Sequence, residues 1–94
     1  MAGAVRVGDM SAGHCFFPRP CIGGSPNVFI NGKAAHRVGD SWPLHRCHKH
    51  KSHDSVMAQG SPNVFVNGKA LARVGDMMSC TDIAAQGSSN VFIN

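Results

Sequence analysis

The sequence predicts an all-β protein: a small cone of three pseudo-threefold β-hairpin repeats with a metal-clasped apex. Three observations carry this. Two motifs alternate strictly along the chain: RVGD at 6–9, 37–40 and 73–76, and GSPNVFING at 24–32, which returns as GSPNVFVNG at 60–68 and GSSNVFIN at 87–94. Glycine and proline are frequent, with 11 and 5 copies, and no long stretch carries the 3.6-residue period of a helix. Apart from His36, every histidine and cysteine falls in the segments that vary between repeats.

Each NVFIN or NVFVN is a short apolar run bounded by asparagine, and in the first two units glycine follows. Asparagine and glycine both tolerate positive φ, so the run reads as a short strand entering a tight turn. The connectors KAAH (33–36) and KALA (69–72) then supply a second short strand, and RVGD a second turn whose aspartate can accept backbone hydrogen bonds. The units span roughly 1–32, 33–68 and 69–94 within a single domain, 1–94. Variable loops occupy 10–23, 41–59 and 77–86, so one end of each unit is constant and the other elaborated.

No unit can bury its own apolar face, so Val28, Phe29 and Ile30 are expected to share a core with 64–66 and 91–93. The spacing is uneven, 36 residues from Gly24 to Gly60 and 27 from Gly60 to Gly87. Three uneven units favour closure about an axis over an open solenoid.

A chain of 94 residues with one Trp, five Phe and no Tyr has little to bury, which points to a staple: a metal, disulfides or a partner chain. The net charge is +4, yet only RCHKHK (46–51) concentrates basic residues, and its histidines are mostly neutral at pH 7. That pattern argues against nucleic acid as a partner. MAGAVRVGD lacks the apolar region of a signal peptide, and no stretch approaches 18 apolar residues. Export, if it occurs, takes another route.

The loop histidines and cysteines keep register with the repeats. His14 lies five positions after Asp9, His45 five after Asp40, and Cys80 four after Asp76. Equivalent places thus offer His, His and Cys, all good zinc donors. A fourth ligand is expected from the longest loop, where His48, His50 and His53 compete; His53 is favoured because it can approach from the side opposite His45. Four protein ligands make a closed, structural site. No zinc-finger spacing fits, and two plainer readings stand beside the metal: a solvated basic loop, or disulfides such as Cys15 with Cys21 or Cys47. His36, on the connector side, takes a structural or surface role. Catalysis fits poorly: there is no Glu, three of the five Asp belong to Gly-Asp turns, and His53, Asp54 and Ser55 are chain neighbours rather than a convergent triad. No small-molecule substrate is expected.

KAAHRVGD and KALARVGD alternating with GSPNVF(I/V)NG resemble the proline-alanine-alanine-arginine (PAAR) repeat proteins, and the likeness spans the whole chain. The eponymous four letters are imperfect here, since 33–37 read KAAHR and 69–73 read KALAR. The resemblance implies a sharpened cone capping the trimeric β-helical spike of a phage tail or type VI secretion apparatus, one tip per trimer, piercing its target membrane mechanically. It implies a zinc ion (iron being the lesser candidate) held near the apex by His14, His45, His53 and Cys80. It places the protein at the spike tip of the virion, or among proteins exported through the secretion apparatus. Because Asn94 follows VFI directly, the chain is expected to be a bare tip. The alternative is a small zinc-stabilised module binding nucleic acid or protein.

Overall fold

The computed structural model describes residues 1–13, 18–46 and 52–94, with 44–46 and 52–54 described through their backbone. Among them there is no helix, and eight short strands form four two-stranded antiparallel sheets. The pairs are β1 (Ala2–Gly3) with β8 (Phe92–Ile93), β2 (Phe29–Ile30) with β3 (Lys33–Ala34), β4 (Ser41–Arg46) with β5 (Ser52–Val56), and β6 (Phe65–Val66) with β7 (Lys69–Ala70). In the β2–β3 and β6–β7 hairpins the turn residues Asn31, Gly32, Asn67 and Gly68 have φ of 55°, 77°, 55° and 77°. Positive φ at both central residues defines the tight turn that matches strand twist, which is why Asn-Gly stands there twice. The third hairpin uses both ends of the chain: Ala2 pairs with Ile93 and Gly3 with Phe92, as Lys33 pairs with Ile30 and Ala34 with Phe29.

The connectors meet in a closed ring. His36 N donates to Val5 O at 3.0 Å, Ala72 N to His36 O at 2.9 Å, and Val5 N to Ala72 O at 3.0 Å. Bridges Arg6–Ala35, Arg37–Leu71 and Ala4–Arg73 flank it in the same cyclic order. This is the predicted pseudo-threefold axis, in hydrogen bonds. The body around it measures 37 × 23 × 22 Å, one long axis and two nearly equal short ones.

Each RVGD is a turn locked by its own ends. Gly8, Gly39 and Gly75 have φ of 95°, 91° and 95°, conformations only glycine adopts cheaply. Asp9 Oδ2 accepts from Arg6 N at 2.8 Å and Nε at 2.9 Å, while Oδ1 accepts from Nη2 at 3.0 Å. Arg37–Asp40 and Arg73–Asp76 repeat the arrangement. The hydrogen bonds that each guanidinium donates to its aspartate hold its pKa above the ordinary value, against the lowering effect of burial.

Two cores lie along the axis. One gathers Ala4, Ile30, Ala35, Val66 and Leu71, with Val28, Val64, Val91 and Ile93 against it; the other gathers Val5, Cys21, Trp42, Met57, Ala72, Met78 and Ala84. The expectation that the phenylalanines share the core is overturned: Phe29, Phe65 and Phe92 are 60%, 59% and 50% exposed. Successive strand side chains point to opposite faces, so seating Val28 and Ile30 inward turns Phe29 outward.

His36 is fully buried, and its role is structural. Nδ1 lies 2.6 Å from Gly23 O, and the ring meets Trp42 edge-on at 5.2 Å between centroids. Burial lowers its pKa below the ordinary 6.5, opposed in part by the Gly23 carbonyl. The neutral ring therefore contributes stability that is present above pH ~6.5 and lost as pH falls through the lower folded value. Urea unfolding at pH 7 and pH 5 should show a smaller acid loss in a His36→Leu variant than in the wild type; equal losses would contradict this.

Candidate metal centre

The three variable loops knit together in cyclic order beyond the RVGD turns. Ser11 bridges to Ala84 and Met57 to Met78, and Ile22 N donates to Ser41 O at 3.1 Å. Among the described residues the three loops thus gather at one end, as the repeat register predicts.

Within them, β4 and β5 form the longest ladder, with a register shift between Trp42 and His45, and His45 pairs directly with His53. Residues at one rung of an antiparallel ladder sit on one face with Cβ atoms about 5 Å apart. The backbone register therefore sets the two histidine positions opposite each other on one hairpin. His14 lies outside the described residues, as do His48, His50, Cys15 and Cys47. Gly13, the residue before His14, donates its N–H to Asp82 Oδ2 at 3.2 Å.

Cys80 sits in a tight turn in which Thr81 N donates to Met78 O at 3.0 Å and Met78 N to Asp82 O at 2.8 Å. Its thiol is free, and its side chain packs partly buried on the loop-side core. The turn hangs on the end of β5: Ser79 N donates to Val56 O at 2.9 Å, and Val56 N to Ser79 Oγ at 3.1 Å. So the chain on the N-terminal side of His14 approaches the 78–82 turn, and that turn approaches the strand carrying His53. Among the described residues no three His, Cys, Asp or Glu side chains converge on one point. By donor type alone, histidine nitrogens and a cysteine thiol suit zinc.

Cys21 is not part of that set. It is buried and free, and its thiol donates to Arg6 O at 2.9 Å. Burial, only partly offset by backbone hydrogen bonds, pushes its pKa up to about 11. Because the thiolate is the reactive form, Cys21 should stay unmodified by a thiol reagent at pH 8 in the native protein and react fully after unfolding. Peptide mass spectrometry reads this directly; rapid native labelling would contradict it.

At the opposite end the sequence reading missed an asparagine network. Asn31 Oδ1 accepts from Arg6 Nη1 at 3.0 Å and Ser88 Oγ at 2.6 Å, while its Nδ2 donates to Asn90 Oδ1 at 2.9 Å. Asn67 repeats this with Arg37, Ser25 and Asn27 at 3.1, 2.6 and 3.0 Å. The signal was in the sequence: asparagine flanks each VF(I/V) run on both sides, whereas a turn alone needs it on one.

A family model for the PAAR motif matches residues 17–81 and again 48–94. The chain belongs to the PAAR motif family, and the two overlapping matches follow its internal repeat. None of the curated proteins compared with it matches significantly.

Proposed function

We propose that this protein caps and sharpens a trimeric β-helical spike of a contractile injection machine, a phage tail or a type VI secretion apparatus, and acts mechanically rather than catalytically. The observation that carries this reading is the ring of hydrogen bonds joining Val5, His36 and Ala72. It lets one chain present three equivalent faces, so a single tip can meet a threefold partner. Membership of the PAAR motif family supports the same role. Phe29, Phe65 and Phe92, one on each hairpin of the constant end, supply matched apolar contacts for three identical spike chains, and short strands with free edges favour strand addition.

In this reading His14, His45, His53 and Cys80 hold a structural zinc at the loop end, which stiffens the point that crosses a target membrane. The pairing of His45 with His53 supports the choice of His53 as fourth ligand.

Native mass spectrometry of the tip with a trimeric β-helical spike protein tests the assignment. One tip mass per three spike chains is expected, with an affinity little changed by salt. Replacing all three phenylalanines by aspartate should weaken binding by about 100-fold or more, since buried aromatic anchors dominate interfaces. Unchanged binding by that variant, or three tips per trimer, would overturn the assignment.

A further inference from the structure

The asparagine network is complete at two of its three pseudo-equivalent places. At each complete place a serine hydroxyl and an arginine Nη1 converge on an asparagine Oδ1, and a second asparagine accepts from its Nδ2. The third place has the same groups in the same local geometry. Ser61 Oγ lies 3.2 Å from Asn63 Oδ1 and accepts from Val64 N at 3.0 Å, as Ser25 accepts from Val28 N and Ser88 from Val91 N, both at 2.9 Å. Arg73 is locked to Asp76 at 2.8 Å, as Arg6 is to Asp9 and Arg37 to Asp40.

Asn94 holds the register position of Asn31 and Asn67, yet among the described residues no hydrogen bond joins it to Ser61, Asn63 or Arg73. Asn31 and Asn67 are fixed by turns at φ 55°, whereas β8 and β1 meet without such a turn between them. The consequence is visible at the arginine: the Arg73 side chain is 27% exposed, against 11% and 10% for Arg6 and Arg37. An open pocket of about 470 Å³ lies against Arg73 and Asn94, lined also by Met1, Ala2, Asp76 and Ile93.

We propose that Ser61, Asn63 and Arg73 form a third carboxamide-binding site, whose ligand is the side chain of an asparagine. The donor pattern selects that group. Two donors meet a carbonyl oxygen and one acceptor meets an amide N–H, as at the two filled sites. A carboxylate would set its second oxygen against Asn63 Oδ1, acceptor against acceptor, and an aliphatic group would offer none of the three a further partner. The carboxamide comes either from Asn94, once the hairpin ends are drawn together, or from an asparagine of a partner chain laid over the seam. The site is independent of the spike-tip assignment.

Two arms distinguish the sources. In the first, the isotope-labelled chain is titrated with N-acetylasparagine amide and observed by NMR, with N-acetylaspartate amide as control. Saturable shifts at Ser61, Asn63 and the Arg73 side chain, at least about ten-fold weaker for the aspartate compound and lost in Ser61→Ala, show a site open to a ligand in trans. In the second, Asn94→Ala is made in the linear chain and in a ring-closed chain that joins residue 94 to residue 1 carrying Met1→Gly. A fall in melting temperature matching that of Asn67→Ala, on the order of 5 °C for loss of one such hub, in either chain shows Asn94 as the ligand. No shift with the asparagine compound, together with no effect of Asn94→Ala in the ring-closed chain, overturns the proposal.

Discussion

Asp40→Ala is expected to lower folding stability by about 3–5 kcal/mol, the range for removing one partner of a buried ion pair. Asp40 Oδ2 takes Arg37 N and Nε, both at 2.8 Å, and Oδ1 takes Nη2 at 2.9 Å. Both side chains are nearly enclosed, 10% and 8% exposed. The variant leaves a guanidinium that cannot deprotonate, desolvated and short of its main acceptor, along with a buried backbone N–H. Since a small domain holds only about 5–15 kcal/mol in all, this loss is a large share. Asp76→Ala removes the same contacts but leaves Arg73 at 27% exposure, where water can solvate it, so its cost should be smaller. Urea unfolding of the two variants decides the point: equal losses would mean that burial of the arginine does not set the cost. Acid should act on the same pair. Burial pushes the Asp40 pKa up, but the side-chain and backbone hydrogen bonds from Arg37 outweigh it and the net shift is downward. The stability contributed by Asp40 is therefore present above pH ~4 and lost as pH falls through the lowered folded value.

What the sequence made legible follows range of interaction. Asn31-Gly32 and Asn67-Gly68 are local signals, because positive φ at two successive positions is a property of the dipeptide. Gly8-Asp9 and its copies are equally local, a turn capped by its own carboxylate three residues away. Closure about an axis was legible only because the motif recurs three times, which turns a long-range question into a counting one. The exposed phenylalanines were misplaced because apolar character was read without phase: strand alternation decides which residues of Val28-Phe29-Ile30 face in, and that phase is set by packing against other repeats. The pairing of His45 with His53 was hidden for a related reason, since the register of β4 on β5 passes through an irregularity between Trp42 and His45 that no loop-length argument contains. The asparagine hubs join residues 25 to 59 apart in sequence, such as Arg6 with Asn31 and Asn31 with Asn90, and only the three-dimensional closure brings them together.

The zinc clasp proposed for the loop end has the other large expected effect. Purified protein should carry about one zinc per chain, as a single four-ligand site requires, and a His14→Ala, Cys80→Ala double variant should carry none and melt at a much lower temperature. Structural zinc in small finger peptides contributes about 10–16 kcal/mol of apparent binding energy that doubles as folding energy. The loss here should be smaller, because the Val5, His36 and Ala72 ring and two apolar cores hold the constant part of the fold without a metal. Elemental mass spectrometry with a thermal melt on both proteins settles the matter, and the same trace distinguishes zinc from iron. A metal-free wild type that melts like the variant would remove the site while leaving the repeats intact. Single His48→Ala, His50→Ala and His53→Ala variants then locate the fourth ligand: the ladder pairing of His45 with His53 predicts that only His53→Ala releases the metal at neutral pH. Retention by His53→Ala and release by His48→Ala or His50→Ala would make that residue the fourth ligand in place of His53.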